Sequence, residues 1–322
     1  MKRRIMFGAA LVVTATTFAL SGCAGSSPGV DSSGTSGPFN LTVGVGNQMA
    51  VVPLGDRTFS SDAVKITQKT SSPGGVTALL LNGQAQLATT DPASALIAIS
   101  KGVPLEIVAT SITSGTNAED DLTGLLVKGD GGPIDVKQLS GQTIAVPVLG
   151  GGAQIGAEAG IDARGGDSKS VTFVELPPAN LVPGVLKGTV AAAVTQEPGI
   201  TLGKQQGLKS LFAPAVATSP SAPVNVYIAT RSFVSEHKDV VDAFIKALSA
   251  SSKKVTETPD QTRAELAKLV NLSADQAKSM VLPIYTPNIV DVDKIKEIEK
   301  VMVKYGALPK EIDLSTAIYT GR

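Results

Sequence analysis

The 322-residue chain has no tryptophan, one cysteine and one histidine. A single thiol excludes an intrachain disulfide and leaves a thiolate metal site with one ligand at most. His237 stands among Glu236, Lys238 and Asp239 near an expected helix start and reads as a solvated surface imidazole. Any serine–histidine–aspartate triad or histidine-rich zinc site would have to be built around it alone. A ligand site that stacks its solute on a large aromatic is equally poorly supplied. Lys+Arg and Asp+Glu both number 28, so no basic surplus points to nucleic acid. Beyond the N-terminus there is no second long apolar run that would suggest a pore.

What the chain does have begins at residue 1. A basic head (Lys2, Arg3, Arg4) leads into an apolar run from Ile5 to Leu20. That is the length of a secretory h-region and short of the ~20 apolar residues of a spanning helix. The run closes on Leu20-Ser21-Gly22-Cys23, which resembles a bacterial lipoprotein signal with small residues before an acceptor cysteine. The resemblance implies cleavage before Cys23 and lipid on its sulfur and new amino group. A polar, Gly/Ser-rich stretch (Ala24–Gly37) follows, suited to tethering an anchored domain. The expected organisation is a signal peptide over 1–22 and a lipidated cysteine with its tether over 23–38. The 300-residue mature chain from Cys23 onward, with 25 basic and 28 acidic residues once Lys2, Arg3 and Arg4 are gone, can bury a large two-lobed core.

Short Val/Ile/Leu-rich runs alternate with longer helical patterns, which predicts an α/β fold with mainly parallel sheets. Strands are expected at Leu41–Val45, Val64–Gln68, Gln86–Thr89, Leu105–Ile112 and Leu122–Val127. Helices are expected at Gly75–Leu81, stopped by Asn82-Gly83, and from Pro92 to Ser100, with Gly102 at the exit. A second unit repeats the plan. It has a short helix at Asp135–Leu139, strands at Thr143–Val146, Val171–Leu176 and Val190–Val194, and helices from the glycine run to Ala163 and over Pro178–Lys187. Strands at Leu208–Phe212 and Val224–Ala229 complete the set, and the chain beyond Ser232 reads as helices over 236–253, 259–270, 274–282 and 291–305.

Two stretches carry a family resemblance. Gly75–Pro104 (GVTALLLNGQAQLATTDPASALIAISKGVP) resembles solute-binding proteins of ABC importers. There a helix ends in a Gly-Gln turn, a ligand-facing turn follows, and the next helix closes on Lys-Gly. DVKQLSGQTIAVPVLGGGAQ and VTFVELPPANLVPGVLKGTVAAAVTQEP, both within Asp135–Pro198, resemble the second lobe of the nitrate/sulfonate/taurine and thiamine-precursor-binding group. This is a branch of the type II periplasmic binding proteins. The resemblance implies two lobes, each a mixed, mainly parallel sheet flanked by helices: residues 39–118 with 224–322, and residues 119–223. It places interlobe crossovers near 114–122 and 218–225. The chain departs from the group where Asn47-Gln48-Met49-Ala50-Val51-Val52 replaces an aromatic-rich helix, and where Gln196 replaces the aromatic that often precedes Glu-Pro.

In open α/β sheets ligands bind beyond the carboxyl ends of strands. The sharpest candidate is Gly150-Gly151-Gly152-Ala153-Gln154, where glycines admit a ligand to the backbone and a helix start offers N–H groups to an anion. An ordinary strand-to-helix turn is the plainer reading. No Gly-Lys-Ser/Thr follows, so the turn is not a nucleotide loop. Candidate ligand contacts are Gly151, Gly152 and Gln154 there; Gln48, Gly74, Thr90, Asp91 and Ser111 in the first lobe; and Glu197 in the second. Asp91 and Glu197 can each touch a ligand or cap the following helix. Glu119-Asp120-Asp121 reads as a solvated acidic turn.

The expected function is that of an extracytoplasmic, lipid-anchored, monomeric receptor with no enzymatic role, cofactor, metal or nucleic acid. It would deliver a small polar solute to an ABC permease and its ATPase. A sulfonate or similar organic anion is the first guess for the solute, and Glu197 would alternatively suit an amine-bearing pyrimidine. A lipoprotein that senses or scaffolds without import is the competing reading. An enzyme using Asp91 with Glu197 for acid–base work is a third.

Overall fold

The computed structural model describes residues 37–133, 135–285 and 287–321; the expected signal peptide and lipidated Cys23 lie outside them. Among the described residues the β-branched runs form ten strands, β1 (Phe39–Val45), β2 (Val64–Thr70), β3 (Leu87–Thr90), β4 (Leu105–Thr113), β5 (Thr123–Lys128), β6 (Thr143–Val146), β7 (Thr172–Glu175), β8 (Ala192–Gln196), β9 (Leu208–Ser210) and β10 (Pro223–Thr230). They assemble into two five-stranded sheets, in the orders β2-β1-β3-β10-β4 and β7-β6-β8-β5-β9. In the first, β1 runs parallel to β2 and β3, and β10 is antiparallel to β3 and β4. In the second, β6 runs parallel to β7 and β8, and β5 is antiparallel to β8 and β9. The antiparallel strand is the fourth in each order. It is also the strand by which the chain enters that sheet after crossing from the other. The two-lobed α/β architecture expected from the sequence is thus present, each sheet mixed and mainly parallel.

Helices cover both faces of each sheet, which is why β3 and most of β4 are buried throughout. They are α1 (Val76–Leu81), α2 (Pro92–Ser100), α3 (Gly152–Ala163), α4 (Pro178–Lys187), α5 (Gly199–Gln205), α6 (Pro214–Thr218), α7 (Arg231–Glu236), α8 (Lys238–Glu257), α9 (Pro259–Leu269), α10 (Ala274–Ser279) and α11 (Val292–Lys304). On the first sheet, Leu96 of α2 and Ile295, Ile298 and Met302 of α11 pack with Ile107, Val226 and Ile228. On its other face Phe244 and Leu248 of α8 meet Leu41, Val43 and Tyr227. The second sheet buries Ile144 and Val146 against Ala157 and Ile161 of α3, and Leu126 and Ala145 against Leu181 and Val185 of α4. Each buried Val, Leu, Ile, Met or Phe side chain among these contributes about 1.5–3 kcal/mol.

Two crossovers join the sheets, and they are bonded to each other. Ser114 donates its N–H to Ala222 O (2.8 Å) and its hydroxyl to Ser219 O (3.0 Å). Asp121, read from sequence as part of a solvated acidic turn, is instead buried at this junction. It accepts the Gly115 N–H (2.8 Å), the Thr123 N–H (2.7 Å) and the Thr123 hydroxyl (2.5 Å). Burial, the largest influence, raises its pKa against those hydrogen bonds. Asp120, its neighbour, does cap an exposed turn by accepting from Asn117 N (2.9 Å).

Other departures from the sequence reading have local causes. The strand expected at Val190–Val194 begins at Ala192, because Gly188 (φ 73°) ends α4 and Thr189 and Val190 fold back to bond Gly184 O. The Thr230 hydroxyl accepts from Phe233 N (3.2 Å) and starts the extra helix α7. His237 is not a solvated imidazole: it is half-buried between Phe39 and Phe233, ring centroids 5.1 and 4.9 Å away. Among the described residues no helix is long and apolar enough to cross a membrane.

Candidate functional site

A cavity of about 730 Å³ lies between the sheets. Its wall is made where parallel strands end: Gly46–Gln48 after β1, Thr90 and Asp91 at the end of β3, Pro147 and Val148 after β6, and Gln196 and Glu197 at the end of β8. This is where an open α/β sheet presents its loops, so the location follows from the topology. Asp91 and Glu197 are the only charged residues among the described lining; no basic or aromatic side chain takes part.

Of the residues singled out from sequence, Gln48, Thr90, Asp91, Gly151, Gly152 and Glu197 line this cavity. Gly74 does not: it lies exposed in the 3-10 turn Pro73–Gly75, whose Pro73 lines the wall instead. Ser111 is buried and donates to Ala50 O (2.6 Å) rather than facing the cavity. It has a positioning task there. The 3-10 segment Gln48–Leu54 carries Gln48 and Met49 into the wall, and the hydroxyls of Ser111, Tyr227 (3.0 Å to Ala50 O) and Tyr285 (3.0 Å to Met49 O) hold its carbonyls. Burial raises the pKa of both phenols, which keeps them protonated as donors.

Gln154 also points its amide elsewhere, accepting from Gly150 N (2.9 Å) and donating to Glu158 (2.9 Å). The triglycine turn therefore does not offer the free donors that its sequence suggested. Gly150 N is bonded to Gln154, Gly151 N approaches Val148 O (3.4 Å), and Gly152 N donates to Asp91 Oδ1 at 2.9 Å. Asp91 Oδ1 simultaneously caps α2 through Ser94 N (3.0 Å). One carboxylate from the first lobe thus sits at the starts of two helices, α2 and α3, and occupies the place proposed for an anion.

Glu197 is committed in the same way. It accepts the Thr201 N–H (2.9 Å) and hydroxyl (3.0 Å), and the Val281 N–H across the lobes (3.2 Å). It is only 4% exposed, and burial, outweighing these hydrogen bonds, raises its pKa. A third interlobe bond, from Asn47 Nδ2 to Gln196 Oε1 (2.8 Å), involves two residues that the sequence reading did not propose as contacts. Asn47 had one local signal, its position as the N-cap of the 3-10 segment, where its Oδ1 accepts from Met49 N (3.0 Å). Among the described residues no cluster of three or more His, Cys, Asp and Glu is placed to hold a metal ion.

Several solved structures share this architecture. The alkanesulfonate-binding protein of Xanthomonas axonopodis pv. citri, bound to MOPS, superposes with a TM-score of 0.72 at 18% identity, over 88% of this chain and 99% of its own. The ligand-binding component of an ABC-type import system from Staphylococcus aureus, with zinc bound, gives 0.71 at 15% identity, over 87% and 96%. The periplasmic nitrate-binding protein of Synechocystis PCC 6803 gives 0.69 at 14%, over 87% and 86%. At these identities the likeness is one of fold, the two-lobed type II periplasmic-binding-protein fold. Comparison with curated protein sequences finds no match. The sequence model described as "NMT1/THI5 like" matches residues 63–262, a span that includes both sheets' central strands and most of the helix starts around the cavity. With more than half its length matched in this way, the chain belongs to the NMT1/THI5-like family.

Proposed function

We propose that this protein is the extracytoplasmic solute receptor of an ABC importer, held at the bacterial cell membrane by lipid on Cys23. A solute enters the cleft between lobe 39–118 with 224–322 and lobe 119–223. The lobes close about the two crossovers, and the closed monomer docks on a permease driven by its ATPase. One observation carries the reading: a cavity walled by strand ends of both sheets, which only two short crossovers connect. That geometry lets a ligand preferring the closed arrangement convert its binding into a change of shape. Family membership and the likeness to import-system proteins support it.

Binding is favoured over catalysis by the state of the two carboxylates. Asp91 and Glu197 both line the cavity, but each already accepts backbone N–H groups, which suits holding the walls together better than moving protons. An organic anion such as a sulfonate, the first guess from sequence, would have to be held by hydroxyls and the remaining backbone donors.

Thermal unfolding of the purified protein against sulfonates, nitrate, taurine, pyrimidines, amino acids and small carboxylates tests the receptor reading. A solute at about 100 times its Kd stabilises the fold by roughly 2.7 kcal/mol. One responding class, with contraction seen by small-angle scattering, supports a receptor. A cooperatively folded protein that no compound stabilises or contracts argues against it. Loss of uptake of the bound compound on gene deletion separates import from sensing.

A further inference from the structure

Resting on the receptor reading, we propose that the cleft takes an uncharged, predominantly apolar organic solute. The first observation is charge. Among the described residues the lining of the roughly 730 Å³ cavity has no Lys, Arg or His, and its only charged residues are Asp91 and Glu197. An anion entering it leaves water, meets no countercharge and faces two like charges.

The second observation is the scarcity of backbone donors. Helix starts around a cleft offer unsatisfied N–H groups to an anion. Here Pro73, Pro92, Pro178 and Pro214 stand at the first positions of their helical segments, Pro198 caps α5, and all five line the cavity. Proline has no N–H, and its ring takes the place a donor would have. Eight prolines in all contribute to the described wall, five of them at these helix starts. Of the other helix starts on the wall, that of α3 has its glycine N–H groups bonded to Gln154, Val148 and Asp91, and that of the 3-10 segment Gln48–Leu54 has its Met49 N–H capped by Asn47 Oδ1.

A cation fares no better. Both carboxylates are engaged by backbone donors, and among the described residues no aromatic ring lines the cavity to supply a cation–π face. The surface of the cavity is mainly apolar, with Met49, Leu181, Val182, Leu186, Leu202 and Val224 among its aliphatic contributors beside neutral polar side chains such as Gln48 and Thr90.

The test uses two fluorescent probes with one skeleton, neutral N-phenylnaphthylamine and its sulfonated counterpart anilinonaphthalenesulfonate, both of which brighten in apolar surroundings. The neutral probe is expected to bind saturably, one per chain, at least about tenfold more tightly than the sulfonate. Gly151→Arg and Ala179→Arg each bring a guanidinium to the cleft wall. Gly151 has an ordinary φ of −75°, and a Cβ there meets nothing closer than 3.4 Å, so the first variant is expected to fold. Ala179 is exposed on the first turn of α4. Both should weaken the neutral probe and tighten the sulfonate, each by about tenfold. A sulfonate that binds the parent protein as tightly as the neutral probe overturns the uncharged class and leaves the receptor reading intact. Probe affinities that neither arginine alters put the probes outside the cleft and overturn it too. If neither probe binds, the apolar class is again overturned, and the receptor reading is decided by the polar panel above.

Discussion

Removing the Asp91 carboxylate separates two effects that the fold combines. In Asp91→Ala the cap on α2 is lost in every conformation, which costs about 1 kcal/mol. For a chain of this size that lowers Tm by roughly 2–4 °C. The bond to Gly152 N, 2.9 Å away on the other lobe, exists only while the lobes are together. A charge-assisted hydrogen bond of this kind contributes about 2 kcal/mol after exchange with water. Its loss should shift the ratio of closed to open molecules roughly 30-fold towards open. Asp91→Asn keeps an acceptor oxygen at the same position, so it should lie between Asp91→Ala and the parent in both respects. The assay is a distance distribution between spin labels at Lys101→Cys and Lys187→Cys in a Cys23→Ser background, two exposed positions on opposite lobes. The reasoning fails if Asp91→Ala melts a few degrees lower yet has the same interlobe distances as the parent.

Three other perturbations follow from the same structure. A Cβ on Gly156 would lie 2.4 Å from Pro214 O, so Gly156→Ala must force α3 from α6 at about 1–3 kcal/mol; an unchanged denaturant midpoint would contradict that packing. Ser111→Ala and Tyr285→Phe each remove one hydroxyl from the Gln48–Leu54 segment and should cost about 1 kcal/mol. Titration of the stabilising solute should show both weakening its binding, and parent-like affinity in both would remove this segment from the site. Asp121 supplies a pH test. Its raised pKa means that the folded form holds the proton more tightly than the unfolded chain, so the ionised group costs stability at neutral pH. That cost is relieved as pH falls through the folded pKa towards the unfolded value of about 3.9. Urea titrations should therefore show the parent gaining stability relative to Asp121→Asn on acidification, and a relative loss would reverse the sign of the argument.

The parts of the fold legible in the sequence are those whose signals are local. Helices α2 and α4 have the expected bounds, because Pro92 and Pro178 mark their starts and the chain turns at Lys101-Gly102 and Gly188. The cap on α2 is legible for the same reason: Asp91 and Ser94 are three residues apart. The second bond of Asp91, to Gly152, spans 61 residues and two lobes, and no spacing rule reports it. The bond from Asn47 to Gln196, separated by 149 residues, was hidden in the same way. Composition misled where neighbours in sequence have different neighbours in space. Asp120 and Asp121 are adjacent acids, one in an exposed turn and one buried under the crossovers. His237 sits among charged residues in the sequence but between two phenylalanine rings in the fold.

The triglycine turn shows how such a miss changes a functional conclusion. From sequence, three glycines before a helix are donors awaiting an anion. In the fold each of their N–H groups faces an acceptor of the protein itself, and the acceptor on Gly152 is a carboxylate from the opposite lobe. The device that would recognise an anion instead recognises Asp91, and so joins the lobes. The electrostatic preference of a helix start is unchanged; what differs is that an internal group meets it. A solute need not then supply the charge that draws the lobes together. It need only fill the apolar space between them, and the proline-lined helix starts leave that space short of donors. On this view affinity in the cleft comes mainly from apolar area removed from water, at about 25 cal/mol per Å² before the costs of binding. Interlobe hydrogen bonds such as those of Asp91, Asn47 and Glu197 fix the geometry in which that area is buried.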